Sequence, residues 1–177
     1  MKVYFVRHGQ TDSNKNRIMH GITDVHLNED GIKQAEDAIA QIPKDISVVY
    51  CSPLSRCVQT AEIINKAFNF PIVYDDRLVE RNFRSLEGRS WKEFDPDFEV
   101  KDKQRLEYDY REFGGEAVDD VKNRVLDFIG SLKTEKKGQK ILVVSHGGVV
   151  RLVHKIINGK VEKIHNASLH EFDLPDN

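Results

Sequence analysis

Four consecutive aliphatic side chains at Ile141-Leu142-Val143-Val144 leave that segment with no polar face. A strand of this kind must be covered on both sides, the situation of a central strand in a parallel sheet. It runs into Ser145-His146-Gly147-Gly148 and then into an apolar, helix-length stretch, Val149 to Ile157, closed by Gly159. Val3-Tyr4-Phe5-Val6 and Val48-Val49-Tyr50-Cys51 repeat the pattern, and Pro71-Ile72-Val73-Tyr74 predicts a further strand, the third in chain order. Helical periodicity fills the gaps. From Asn28, Ile32, Ala35, Ala38, Ile39 and Ile42 keep a helical spacing up to Pro43, and Val118, Val121, Val125, Phe128, Ile129 and Leu132 share another helix face. Ser52-Pro53 reads as an N-cap and first-turn proline for a helix carrying Leu54, Cys57, Val58, Ala61, Ile64 and Phe68 inward. Ala167 to Phe172 predicts a last strand. Alternation of this kind gives an α/β fold, a three-layer sandwich around a largely parallel sheet.

At 177 residues the chain fits one domain spanning 1–177. Residues from about Asp76 to Gly115 are polar, irregular and dotted with aromatics, with a turn at Asp95-Pro96, and read as a cap on that domain. A net charge of −2 argues against a nucleic-acid face, and the basic run at Lys101-Asp102-Lys103-Gln104-Arg105 is broken by an acid. The N-terminal apolar stretch is four residues long, short of the roughly 7–15 of a secretory signal. No later run approaches the roughly 18 needed to span a bilayer. The expected setting is the cytoplasm, without membrane or nucleic-acid partners; oligomeric state is not legible. Two cysteines, Cys51 and Cys57, make neither a disulfide framework nor a zinc site.

In open α/β sheets ligands bind beyond the carboxyl ends of the strands. Three strand ends here carry Arg7-His8-Gly9, Ser52 to Arg56, and Ser145-His146-Gly147-Gly148. Together they deliver Arg7, His8, Arg56 and His146 to one rim. Arginine forks match phosphoryl oxygens in two-point contacts. Arg56 falls in the first turn of its helix, where unpaired N–H groups favour an anion, and Gly147 and Gly148 let backbone approach a ligand. An imidazole whose other nitrogen is held as a donor can attack phosphorus. The combination describes an electropositive phosphate pocket containing a nucleophile.

The same residues carry a resemblance. Arg7-His8-Gly9-Gln10-Thr11 with Asn14, and Ser52-Pro53-Leu54-Ser55-Arg56 through Ala61, are similar to the histidine phosphatase superfamily, also called the phosphoglycerate mutase-like family. So are Leu78-Val79-Glu80-Arg81-Asn82-Phe83, Leu86-Glu87-Gly88, Gly114-Gly115-Glu116, Ser145-His146-Gly147-Gly148 and Asn166-Ala167-Ser168, in order from Lys2 to about Phe172. The resemblance implies that His8 becomes a phosphohistidine and that Arg7, Arg56 and His146 hold the phosphoryl oxygens. It implies an Asn14 contact to phosphate, Glu80 as the proton donor, and substrate contacts at His20 and Gly21. It implies no metal and no cofactor, with a small phosphorylated metabolite as substrate. Arg84 stands where the family commonly has glycine. A cation four residues after Glu80 suggests a contact to a second anionic group, or a side chain pointing to solvent.

Other chemistries fit less well. A cysteine-dependent phosphate loop needs five residues between cysteine and arginine, whereas four separate Cys51 from Arg56. A metal hydrolase wants clustered ligands, and His20, His26, His154, His165 and His170 show no obvious partners. A non-catalytic phosphate-binding descendant would be expected to lack His8 or Glu80. Hydrolysis is favoured over mutase activity because only 65 residues separate Glu80 from His146, a modest cap that water could pass.

Overall fold

The computed structural model describes residues 1–94, 106–136 and 138–174. A five-stranded sheet is built from β1 (Lys2–Arg7), β2 (Val48–Cys51), β3 (Ile72–Tyr74), β4 (Ile141–Ser145) and β5 (Leu169–Asp173), in the order β3-β2-β4-β1-β5. β1, β2, β3 and β4 pair in parallel, and β5 closes one edge antiparallel to β1. Side-chain alternation sorts the core into two layers. Val3, Phe5, Ile141 and Val143 face α5 (Val118–Glu135) and α6 (Gly147–Asn158), against Val121, Val125, Phe128 and Val153. Tyr4, Val6, Leu142 and Val144 face α2 (Glu29–Ala38) and α3 (Ser55–Asn65), against Ala38, Cys57, Ala61 and Ile64. A short α1 (Asp12–Lys15) follows β1, capped by Thr11, whose hydroxyl accepts from Asn14 N. No helix among the described residues is long and apolar enough to cross a membrane.

Several local expectations are corrected. In α2 the buried face is Gly31, Ala35 and Ala38, while Ile32 is exposed. The small face lets the helix press onto the backbone after β1, where a Cβ at Gly31 would collide with Gln10 O and one at Gly9 with Gly31 O. Ser52 is not the cap of α3. That position belongs to Leu54, and Asp24 serves the helix instead, accepting from Ser55 N (2.8 Å) and Ser55 Oγ (2.6 Å). The last strand begins at Leu169, after Ala167 turns the chain with φ 54°. His154 and His170 do have partners. His154 Nε2 meets His170 Nδ1 at 2.9 Å, and Ser168 Oγ lies 2.8 Å from His170 Nε2.

The segment expected to be a cap is a series of 3₁₀ turns, Asp76–Leu78, Arg84–Leu86 and Arg111–Phe113, with a short α4 (Trp91–Phe94). Its own small core joins Met19, Leu86 and Tyr110 with Phe83, Trp91, Phe94 and Phe113. The turn read at Asp95-Pro96 and the basic run at 101–105 lie outside the described residues.

Candidate active site

The carboxyl ends of β1 and β4 lie side by side, Arg7 in register with Ser145. His8 therefore leaves the sheet beside His146, with ring centroids 5.3 Å apart, and both are buried. A cavity of about 130 Å³ opens at this rim. Of the residues picked out from sequence, Arg7, His8, Asn14, His20, Gly21, Glu80 and Gly147 line it. Arg56 and His146 sit behind this lining. Of the two alternatives the sequence offered for Arg84, the structure places the side chain at the surface: it is exposed and lines no part of the cavity, with its backbone at φ 46°. That left-handed conformation explains why glycine suits the position, and the 3₁₀ turn beginning at Arg84 faces outward.

His8 Nδ1 lies 2.7 Å from Gly9 O. Only a protonated Nδ1 can donate to that carbonyl, so in the neutral ring the lone pair is on Nε2. Burial, helped by the charges of Arg56 and Arg7, holds His8 well below the ordinary histidine range. His146 is set in the opposite tautomer. Arg56 Nε donates to its Nδ1 at 3.3 Å, so Nε2 carries the hydrogen and donates to Ser52 Oγ at 2.8 Å. Burial and the Arg56 charge depress His146 in the same direction. Arg56 also donates from its terminal nitrogens to Gly21 O (2.6 Å) and Thr23 O (2.9 Å), which fixes the His20-Gly21 loop over the site. The His20 ring stands 6.2 Å from that of His8, and burial lowers its pKa to about 4.

Glu80 reaches the same cavity from the chain after the Asp76–Leu78 turn. Its carboxylate accepts from Arg81 N (2.9 Å) and Gly148 N (3.0 Å). Burial works to raise its pKa, but those two hydrogen bonds and the charges of Arg56 and Arg151 outweigh it and keep the group below the usual carboxylate value. Glycine at 148 leaves room for the carboxylate in this position, since a Cβ there would displace Glu80 Oε1. Asn14 Oδ1 accepts from Thr11 N and from Asn166 Nδ2, both at 3.2 Å, and Asn166 Nδ2 also donates to His8 O at 3.1 Å.

Four cavity residues escaped the sequence reading: Met19, Phe83, Trp91 and Arg151. Arg151 had a usable signal, since it lies one helical turn after Gly147 on α6 and so shares its face. Both cysteines are buried. Burial pushes Cys57 up to about 12 and Cys51 higher still, which leaves neither as a thiolate nucleophile. Among the described residues no cluster of three or more His, Cys, Asp or Glu side chains is placed to hold a metal.

The buried neutral histidines predict acid sensitivity. An unfolded histidine takes a proton near pH 6.5, whereas His8 and His146 resist it in the fold. Stability should therefore be flat near pH 7 and fall as pH drops from about 6.5 toward 4, by about 1.4 kcal/mol per unit for each histidine. Urea unfolding at pH 7, 6 and 5 checks this. Equal stability at all three would contradict the assigned protonation states.

The matches to known proteins follow the geometry. The model of the histidine phosphatase superfamily, branch 1, matches residues 3–176. A probable phosphatase of Schizosaccharomyces pombe is 35% identical, over 86% of this chain and 71% of that protein. A metal-independent phosphoserine phosphatase of Arabidopsis thaliana is 32% identical, over 99% and 77%. A crystal structure of a phosphoglycerate mutase from Thermus thermophilus superposes with a TM-score of 0.78 at 29% identity, covering 99% of this chain and 94% of that one. With a mostly parallel five-stranded sheet, paired histidines at the ends of β1 and β4, and a family match across nearly its whole length, the chain belongs to the histidine phosphatase superfamily.

Proposed function

We propose that this protein is a metal-independent phosphomonoester hydrolase that works through a phosphohistidine on His8. The observation that carries the reading is the His8 Nδ1 to Gly9 O bond of 2.7 Å, which leaves a neutral Nε2 lone pair on a cavity lined with cations. In the first step Nε2 attacks phosphorus, the N–P bond forms and the ester P–O bond breaks. Glu80 gives its proton to the leaving oxygen. In the second, water attacks phosphorus, the N–P bond breaks and Glu80 takes the proton from water. Ester and water become alcohol and phosphate. Because Glu80 is ionised in the free protein, its proton arrives with the phosphate monoanion or is held once a dianion lies beside it. Arg7, Asn14 and the Gly147 end of α6 line the cavity and hold the phosphoryl oxygens, with Arg7 supplying charge a metal would otherwise bring. The Arg56 charge behind His8 and His146 steadies the oxygens as transfer proceeds. The Arabidopsis relative named as metal-independent supports this.

A mutase reading has its own support in the Thermus structure. One experiment separates the possibilities. After exhaustive chelation the protein should still release p-nitrophenol from p-nitrophenyl phosphate at the untreated rate. Given 3-phosphoglycerate with catalytic 2,3-bisphosphoglycerate, it should release free phosphate faster than 2-phosphoglycerate. Activity lost on chelation and restored by zinc or magnesium would overturn the metal-independent mechanism.

A further inference from the structure

The Glu80 carboxylate is held by main-chain donors, Arg81 N and Gly148 N, so its place depends on where its own backbone runs. The chain from Val79 to Phe83 lies between the 3₁₀ turns Asp76–Leu78 and Arg84–Leu86 and belongs to no helix or strand. Its carbonyls therefore need partners from elsewhere in the molecule. The carbonyls of residues 77 to 80 find them on side chains. Ser145 Oγ donates to Leu78 O at 2.8 Å, and a single guanidinium takes the other three. Arg124, on α5, donates from Nη1 to Arg77 O (2.8 Å) and Val79 O (2.6 Å), and from Nη2 to Glu80 O (3.2 Å). A planar fork suits this task, because its donors keep a fixed geometry while they reach several acceptors.

The guanidinium is oriented in turn. Its Nε and Nη2 lie 3.4 Å from the two Glu116 carboxylate oxygens, and the Arg124 side chain is only 17% exposed. Glu116 also holds the far side of the same loop. Its Oε2 accepts from Asn82 N at 2.8 Å, and its own N donates to Asn82 O at 2.9 Å. A Cβ at Gly115 would stand 2.5 Å from Asn82 O, so glycine lets the Gly114-Gly115-Glu116 segment come this close. Arg124 and Glu116 thus grip the chain before and after the Glu80-Arg81 peptide. Neither is among the described residues lining the His8 cavity, so any effect on turnover must pass through the loop.

We propose that Arg124, oriented by Glu116, is a positioning residue for proton transfer, fixing the 77–80 backbone so that the Glu80 carboxyl meets the leaving oxygen. The inference rests on the reading of Glu80 as the proton donor.

The test compares kcat for propyl phosphate and p-nitrophenyl phosphate on the full chain. Arg124→Gln cannot span three carbonyls, and a displacement of about 1 Å is enough to cost about 10²-fold in rate. Propyl phosphate should lose about 10–10²-fold, whereas p-nitrophenyl phosphate, whose leaving group departs without a proton, should lose less than about threefold. Arg124→Lys keeps the charge but not the fork, and should show the same contrast with a smaller loss. On propyl phosphate, Glu80→Gln/Arg124→Gln should fall within about threefold of Glu80→Gln, because a residue that acts through another adds little once that one is gone. Equal losses on the two esters in the Arg124 variants, or a double variant whose loss is the product of the single ones, would overturn the proposal. If Glu80→Gln itself slows both esters alike, Glu80 is not the acid and the proposal falls with that reading, which tells the two failures apart. Should Arg124→Gln fail to fold by circular dichroism, Arg124→Lys carries the same comparison.

Discussion

Glu80→Gln should slow hydrolysis of an alkyl phosphate by about 10²–10⁴, the usual contribution of a positioned general acid. An alkoxide leaves poorly without a proton, and among the described residues Glu80 is the carboxyl group that lines the His8 cavity. p-Nitrophenolate leaves without help, so the same variant should lose less than about tenfold on p-nitrophenyl phosphate. The contrast matters because the substitution also disturbs structure. Each Glu80 oxygen accepts one backbone N–H, from Arg81 and from Gly148, and a glutamine must turn an NH₂ group toward one of them. A purely positional effect would slow both substrates alike. Parallel rates of measured decline on the two substrates would show that Glu80 only shapes the loop.

His8→Ala should cost about 10⁴ or more in kcat, the order seen when a covalent nucleophile is removed from a hydrolase. The fold around it should persist. His8 N donates to Ser145 O at 2.9 Å, Gly9 N donates to Thr60 Oγ1 at 3.0 Å, and Asn166 Nδ2 holds His8 O, none of which needs the imidazole. A single-turnover assay, with circular dichroism as the check on folding, measures the loss. Retention of a tenth of the wild-type rate in a folded variant would move the nucleophile elsewhere.

The central strands β1, β2 and β4 were legible because they are short, largely apolar runs, and β4 is the clearest case, all five residues being buried. The rim followed from the rule that ligands gather at the carboxyl ends of parallel strands, which brings Arg7, His8 and His146 together before any coordinates are known. Contacts between distant segments were not legible. Ser52 looked like a helix cap because Pro53 follows it, yet its hydroxyl serves His146, 94 residues away. His154 and His170 looked solitary because their partnership joins a helix to an edge strand. Arg84 was left between two readings because nearness to Glu80 in sequence says nothing about direction; in the fold it is exposed and lies outside the cavity lining. The family resemblance pointed to Glu80, Asn14, His20 and Gly21, which periodicity and spacing alone did not.

The most direct test of the account is a chemical trap of the intermediate. Brief mixing with ³²P-labelled substrate and an alkaline quench should leave one phosphate per chain on a peptide containing His8. Acid should release it, because an N–P bond is acid-labile and alkali-stable whereas a serine ester is not. His8→Ala should carry no label. Label that survives acid, or that persists in His8→Ala, would contradict transfer to His8.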